Sequence, residues 1–150
     1  MSTGLIDSQA KADSLDVDSA PVTVTGEISV SYVLTGLAPH TTYHYRAVAE
    51  DAIGVAYGED RTFTTSRVAP TVVTGGTSEV VATGAALHAT VNPHNAPSTV
   101  TFEYGETDDY GASVAVEGTV DGLDDVPVTA SLAGLLPNTT YHYRVVATNG

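Results

Sequence analysis

A ten-residue segment rich in reactive side chains occurs twice in this chain. Residues 37–46 read LAPHTTYHYR and residues 135–144 read LLPNTTYHYR. Both copies place histidine and arginine beside tyrosine, and these residue types transfer protons or bind metals and anions in many active sites. A catalytic arrangement is normally needed only once in a fold. The repetition therefore favours a structural role for the segment over an active site.

Alternation sorts the side chains of the segment onto the two faces of a predicted strand. Tyr43 and Tyr45 fall on one face, and His44 and Arg46 fall on the other. The second copy repeats this pattern at an offset of 98 residues, 135 minus 37. We predict inward tyrosines and solvent-facing histidines, because the histidines show no short metal-ligand spacing. The histidines concerned are His40, His44, His88, His94 and His142.

Acidic loop residues are the other candidate ligands. Asp121, Asp124 and Asp125 lie in the loop DGLDD, and calcium is bound by several carboxylate and carbonyl oxygens. The loop lacks the D-x-D-x-D-G spacing of a strong calcium motif, so we treat it as a weak candidate. The alternative is that its charges only keep the loop soluble. The same two interpretations apply to Asp16 with Asp18, and to Glu106 with Asp108 and Asp109.

Composition excludes several classes of function. The chain has 18 acidic residues against 5 Lys and Arg, a formal charge of −13, which would repel nucleic acids and anionic membranes. It has no Cys, hence no disulfide or thiolate site, and no apolar run long enough to span a bilayer. No Gly-x-Ser-x-Gly elbow occurs, and no triad partners can be nominated. Paired carboxylates could serve a glycosidase, but all of them lie in predicted turns with no evident deep cleft. We predict a non-catalytic protein with no cofactor other than the weak calcium candidate, no nucleic-acid partner and no membrane insertion.

The elements that position these residues are predicted to be short strands separated by Gly, Pro and Asn/Asp turns. Period-two alternation predicts equivalent strands at residues 28–34 and 126–132. The Pro-bearing segment SRVAPT, residues 66–71, predicts a boundary between units 1–66 and 67–150. No segment shows a useful length of helical periodicity, so the chain is predicted to be all-β. Further strand patterns occur near residues 55–65, 71–76, 84–93, 99–105 and 110–118.

The repeated motif Leu-x-Pro-x-Thr-x-Tyr-x-Tyr-Arg resembles the E–F corner and F strand of fibronectin type III modules. The string ATGAALHATVNPHNAPSTVTFEYGETDDYG resembles the opening strands of the bacterial branch of that family. The resemblance implies Greek-key β-sandwich modules in which strands A, B and E face C, C′, F and G, with Tyr43 and Tyr141 as tyrosine-corner residues. About one and a half tandem repeats are expected, incomplete at both ends of the chain. Residues 1–66 would be C′/E/F/G-like, and residues 67–150 would be A/B/C/C′/E/F-like without the last strand.

These expectations predict a structural or adhesive module of a secreted or cell-surface protein. An incomplete sandwich exposes a strand edge, which a neighbouring copy could cover in a head-to-tail fibre. Excision from a longer tandem array explains the same incompleteness. The expected partners are therefore other copies of the chain or neighbouring modules of the same protein. The candidate complementing residues are Pro21, Val22, Val24, Thr25, Val55, Tyr57, Phe63 and Thr65.

A second hypothesis is a carbohydrate- or ligand-binding accessory module of a secreted hydrolase. Tyr57, Tyr110, His94 and Asn95 lie in predicted loops, where their rings and amides could contact a sugar. Sugar-binding faces usually present a flat row of aromatic rings, and the chain has no Trp. The composition therefore favours the structural module.

Overall fold

The computed structural model describes residues 3–9, 14–18 and 29–150. The chain divides into two compact units, unit 1 (Met1–Ser66) and unit 2 (Arg67–Gly150). All strand pairs in the described ranges are antiparallel, and none of these residues is helical, which confirms the all-β prediction. The complementing candidates Pro21, Val22, Val24 and Thr25 lie outside the described residues.

Unit 1 is a sheet organised around its third strand. Its strands are β1 (Thr3–Gln9), β2 (Ser14–Asp18), β3 (Thr42–Glu50), β4 (Val55–Tyr57) and β5 (Arg61–Thr64). β1 pairs with one edge of β3 and β2 pairs with β1, while β4 and β5 both pair with the other edge of β3. In the fibronectin type III order β2, β1 and β3 correspond to strands C′, C and F. β4 and β5 together correspond to a G strand that is interrupted between them.

The strand predicted at residues 28–34 is not found in its described part. Residues 29–34 form no strand, and Val30, Tyr32 and Val33 are exposed. Alternation gives a segment one apolar face that can be buried. A strand also requires a partner strand for its backbone hydrogen bonds. The equivalent residues of unit 2 have that partner, whereas 29–34 pair with no strand in the described part of the chain.

Unit 2 is a sandwich of two three-stranded sheets. One sheet has the order β10-β7-β6 and the other β11-β8-β9, which corresponds to E-B-A and F-C-C′ of the fibronectin type III fold. β11 is an edge strand of its sheet within the described part of the chain. The strands are β6 (Thr71–Val81), β7 (Gly84–Asn92), β8 (Ser98–Gly105), β9 (Ala112–Ala115), β10 (Val126–Ala133) and β11 (His142–Asn149).

Alternate residues of both sheets meet in the core of unit 2. β10 shows the predicted alternation, with Val128, Ala130 and Leu132 buried and the residues between them exposed. Phe102 on β8 is fully buried at the centre. The non-polar residues exclude water between the sheets, which is the main stabilising contribution of such a sandwich. The core consists of Leu87, Ala89, Val91, Val100, Phe102, Val128, Ala130, Leu132 and Val145.

Candidate functional site

In both copies of the repeated segment a tyrosine hydroxyl bonds to backbone five residues upstream, and we call this hydrogen-bonded turn the corner. The Tyr43 hydroxyl accepts a hydrogen bond from the backbone N–H of Ala38 at 2.9 Å. The Tyr141 hydroxyl accepts the equivalent bond from the N–H of Leu136 at 3.1 Å. Each bond spans five residues and ties the start of a strand to the turn before it. The tyrosines therefore hold the backbone in position, and their hydroxyls are occupied.

The turn inside each corner is also fixed locally. Thr41 Oγ1 donates to the Pro39 carbonyl at 2.8 Å, and Thr139 Oγ1 donates to the Pro137 carbonyl at 3.2 Å. His40 and Asn138 occupy the same position in the two copies, and both have positive φ, 45° and 52°. Asn is among the residues that tolerate this conformation best. The polar residues of the motif thus shape a turn and do not converge on a reaction centre.

We expect Tyr43→Phe to lower the free energy of unfolding of unit 1 by about 1–2 kcal/mol, and Tyr141→Phe to lower that of unit 2 by only about 0.5–1 kcal/mol. Both changes leave a backbone N–H without its partner. In unit 1 the lost bond was made by the buried Tyr43, so water cannot easily replace it. In unit 2 the N–H belongs to the exposed Leu136, and water can replace the lost bond there. Amide hydrogen exchange resolves the two units separately. Equal losses in both units would contradict the burial argument.

In unit 1 a segment of chain covers the corner. The Phe63 ring stacks on Tyr43 with centroids 5.7 Å apart, and contacts Tyr45 edge-on at 6.0 Å. Thr65 Oγ1 donates to the Ala38 carbonyl at 2.7 Å and accepts from the N–H of Thr41 at 2.9 Å. The segment 61–66 therefore closes the corner with one aromatic ring and one threonine.

In unit 2 the described residues leave the equivalent surface open. A cavity of about 420 Å³ lies beside the corner and is lined by Leu136, Asn138, Thr139, Tyr141 and Tyr143. At the 98-residue offset these residues correspond to Ala38, His40, Thr41, Tyr43 and Tyr45, the surface that the segment 61–66 covers in unit 1. Apolar side chains of β6, β7 and β10 complete the cavity wall. Tyr141 is only half-buried as a result, whereas Tyr43 is 6% exposed.

β6 contacts β11 at two of its residues. The N–H of Val145 donates to Thr74 Oγ1 at 3.2 Å, and the Tyr143 hydroxyl donates to the Gly75 carbonyl at 2.7 Å. Both contacts lie next to the irregularity of β6 between Thr74 and Thr77. The alternation of β6 did not indicate these contacts. They depend on how the sheet β10-β7-β6 packs against the sheet that contains β11.

The histidines of the segment lie at the surface, as alternation predicted. His44 Nδ1 is 2.9 Å from Asp60 Oδ2, with both side chains more than half exposed. His142 is exposed as well. His88 lies between Ser78 Oγ at 2.7 Å and Thr129 Oγ1 at 3.0 Å, neither of which is a typical metal ligand. The structure thus gives His44 and His88 hydrogen-bonded surface roles.

The arginines of the two copies stack on tyrosines. Arg46 lies over the Tyr57 ring at 4.3 Å, and Arg144 over the Tyr110 ring at 4.6 Å. Arg144 also binds Glu103, its register partner on β8, at 2.6 Å, and this hydrogen bond raises the pKa of the Arg144 guanidinium. Such exposed pairs contribute little to stability but hold the rings in place. The stacking tyrosines come from different elements, so spacing alone could not have identified them.

The calcium candidates do not converge on a common point. Asp125 Oδ1 accepts from Asn92 Nδ2 at 3.0 Å, and Asp121 Oδ1 accepts from the N–H of Gly122 at 2.8 Å. Asn92 also donates to the Leu123 carbonyl, so it anchors the loop. No group of three or more His, Cys, Asp or Glu residues arranged for a metal occurs among residues 3–9, 14–18 and 29–150.

A titration can test whether Asp121, Asp124 and Asp125 bind calcium. A bound ion would raise the melting temperature with increasing calcium. We expect no rise, because Asp121 accepts a hydrogen bond from Gly122 in its own loop and Asp125 accepts one from Asn92 at the end of β7, and the two carboxylates do not converge with a third ligand among the described residues. A saturable rise that chelator reverses would contradict this expectation.

Asp51 shapes the turn between β3 and β4. Its Oδ1 accepts hydrogen bonds from the N–H groups of Ile53 at 2.8 Å and Gly54 at 3.0 Å. These two bonds lower the pKa of the Asp51 carboxyl from its ordinary 3.8. A lowered folded pKa stabilises the turn above the unfolded pKa, and this contribution is lost as the pH falls through the folded pKa.

We therefore expect the Ile53 and Gly54 amide signals to shift together as the pH is lowered below about 4, with a midpoint below that of an unperturbed aspartate. A nuclear magnetic resonance titration of the Asp51 carboxyl and these amides measures the midpoint. Asp51→Asn is the control, since it keeps an acceptor that does not titrate. A midpoint at or above 3.8 would disprove the assignment.

The proposed sugar-contacting residues of unit 2 lie at two ends of one strand. In unit 2, His94 and Asn95 lie before β8, and Tyr110 lies after it, so they occupy opposite ends of that strand. One face of the Tyr57 ring is covered by Arg46, and one face of the Tyr110 ring is covered by Arg144. Each ring therefore has at most one face left for stacking on a sugar.

Comparison with known proteins shows similarity to part of an endoglucanase. The chain is 36% identical over 155 residues to Endoglucanase B of Cellulomonas fimi, and the match covers 92% of the chain. The chain spans only 14% of the length of that protein. No protein-family model matches the chain.

Among solved structures, the three fibronectin domains FN1–FN3 of chicken CNTN1 align with 99% of this chain and 50% of that one. The identity is 20% and the TM-score 0.37. The fold assignment rests on the strand order of the two units. No helix in the described ranges is long and apolar enough to cross a membrane. The chain is an all-β protein of fibronectin type III-like fold, similar over most of its length to a segment of an endoglucanase.

Proposed function

We propose that the chain is a non-catalytic structural module of a larger secreted or cell-surface protein. The observation that supports this most is the 36% identity over nearly the whole chain to a segment that makes up 14% of Endoglucanase B. A segment of that size can link or space the other parts of such a protein. The geometry agrees, because the repeated polar residues are engaged in corners, turns and surface pairs.

The test compares this role with that of a ligand-binding accessory module, which the similarity to an endoglucanase favours as the second candidate. The chain is incubated with insoluble cellulose, xylan and chitin, and with soluble carboxymethylcellulose. We expect no retention on the solids and no release of reducing ends. Retention that a soluble oligosaccharide reverses would favour the accessory module, and hydrolysis would overturn the non-catalytic assignment.

We also propose that unit 2 accepts a strand from a second copy of the chain at the edge of β11. The supporting observation is that β4 and β5 pair with the equivalent edge of β3 in unit 1, whereas no strand in the described part of the chain pairs with this edge of β11, which β6 contacts at Val145. Unpaired strand edges are ready sites for β-augmentation. Repetition of this contact would join copies head to tail.

Size-exclusion chromatography with light scattering, followed by electron microscopy, tests this assembly. We expect the apparent mass to rise with protein concentration and short filaments to form. A stable monomer over a wide range of concentrations would reject the fibre and leave the structural module unaffected.

A further inference from the structure

The loop between β9 and β10 holds an aspartate against the backbone nitrogen of the next residue. Asp121 Oδ1 accepts a hydrogen bond from the N–H of Gly122 at 2.8 Å. The carboxyl carbon of Asp121 is one bond from Oδ1, so it lies close to this nitrogen as well. Asp121 is exposed and Gly122 is half-buried, so water can reach both groups. The dipeptide thus brings an electrophilic carbon and a nitrogen nucleophile together.

These two atoms can close a five-membered ring. The Gly122 nitrogen bonds to the carboxyl carbon of the neutral acid, its proton joins the departing hydroxyl group, and one water molecule leaves. Water then opens the resulting succinimide at one of its two carbonyls. Opening at the side-chain carbonyl restores aspartate, whereas opening at the main-chain carbonyl leaves isoaspartate, in which the chain continues through the former side chain. The net change is an isomerisation that needs no reactant other than water.

We infer that Asp121 is a modification site at which the folded protein forms isoaspartate spontaneously. The glycine that follows favours the reaction, because it has no Cβ to hinder ring closure. The φ of Gly122 is 103°, in the region that glycine adopts readily, and a Cβ built there would have no atom within 4 Å. The backbone therefore has space to move toward the carboxyl carbon. The modification is independent of the structural role proposed above.

Asp51 provides an internal comparison, because it is exposed as well but bonds to different nitrogens. Its Oδ1 accepts from the N–H groups of Ile53 at 2.8 Å and Gly54 at 3.0 Å, which lie two and three residues further on. Neither nitrogen can close a five-membered ring with this carboxyl group. Misplacing reacting groups by about 1 Å can lower a rate by about 100-fold. We therefore expect Asp121 to isomerise well before Asp51.

Isomerisation would alter contacts at this end of unit 2, because it adds one carbon atom to the backbone. On one side of Asp121, Val120 exchanges two backbone hydrogen bonds with Ser98, at 2.8 and 2.9 Å. On the other side, the Gly122 carbonyl accepts from the N–H of Asn95 at 2.6 Å. Ser98 is fully buried, so its pairing with Val120 should persist and the displacement should fall on Gly122. We expect the bond from Asn95 to be lost.

The test follows the full chain during prolonged incubation at body temperature and mildly acidic pH. Samples are digested with the protease Asp-N, which cuts before aspartate but not before isoaspartate, and the fragments are identified by mass spectrometry. We expect isoaspartate at position 121 to accumulate at least about tenfold faster than at Asp51. A transient species lighter by one water molecule, located at Asp121 and Gly122, would identify the succinimide.

Three variants test the proposed chemistry. Asp121→Asn should form the same succinimide faster, because ammonia leaves the amide more readily than water leaves the acid. Asp121→Ser has no carboxyl carbon and should form no isoaspartate at this position. Asp124→Asn is the matched control, since the same change is made in the same loop but the next residue, Asp125, is not glycine. It should react at least about tenfold more slowly than Asp121→Asn.

A parallel incubation in urea separates the effect of the fold from that of the dipeptide sequence. We expect the folded chain to isomerise at position 121 at least as fast as the unfolded chain. Reaction in the unfolded chain alone would overturn the inference, and so would equal rates at Asp121 and Asp51 in the folded chain. Amide hydrogen exchange of the isomerised protein then reports the structural effect. Faster exchange at Asn95 is expected, and unchanged exchange there would contradict the predicted displacement of Gly122.

Discussion

Phe102→Ala is expected to lower the free energy of unfolding of unit 2 by about 3–5 kcal/mol. Phe102 is 0% exposed and lies at the centre of the core, where residues from both sheets pack around it. Removing the ring loses its transfer free energy and leaves a cavity that the two sheets cannot close without bending. A loss of this size is a large part of the stability of a small domain, so unit 2 should be largely unfolded in moderate denaturant.

Urea titration followed by nuclear magnetic resonance measures this loss for unit 2 alone, since signals of residues 67–150 can be counted separately. Val73→Ala is the matched control, because Val73 lies on β6 and is 67% exposed. It should cost less than about 0.5 kcal/mol. A Phe102→Ala loss no larger than that of the control would mean that the two sheets do not share this core.

Gly105→Ala is expected to lower the free energy of unfolding of unit 2 by about 1–3 kcal/mol. The cause would be a steric clash and not the loss of contacts. A Cβ on Gly105 would collide with the backbone carbonyl of Tyr110, across the turn that joins β8 to β9. Backbone cannot rotate away as a flexible side chain can, so the turn must open. Opening it would also displace the Tyr110 ring from Arg144.

Gly76→Ala provides the control for the glycine substitution itself. A Cβ added to Gly76 would have no atom within 4 Å, and the φ of Gly76 is not in the left-handed region. Alanine should therefore be neutral or slightly stabilising there, because it restricts the unfolded chain. Thermal unfolding monitored by circular dichroism compares the two variants. Equal melting temperatures would show that the turn accommodates a side chain.

Much of the architecture of unit 2 follows from local patterns. Alternation at residues 126–132 correctly predicts β10, since each buried residue has an exposed neighbour and a partner strand in β7. The same pattern at 28–34 misleads, because Val30 and Tyr32 have the right spacing but the described residues around them pair with no strand. Pairing is a property of two segments, and alternation describes only one.

At the candidate site, too, part of the arrangement could be predicted from the sequence and part could not. The side-chain types and the 98-residue repeat, both readable in the sequence, determined that Tyr43 and Tyr141 belong to equivalent positions and that the histidines face solvent. Only the tertiary structure decided that Phe63 and Thr65 close one corner while a cavity of about 420 Å³ stays beside the other. The sequence determined these repeated elements because hydrophobic alternation and turn residues act locally. It could not determine what covers each edge, because that depends on contacts between residues far apart in the chain.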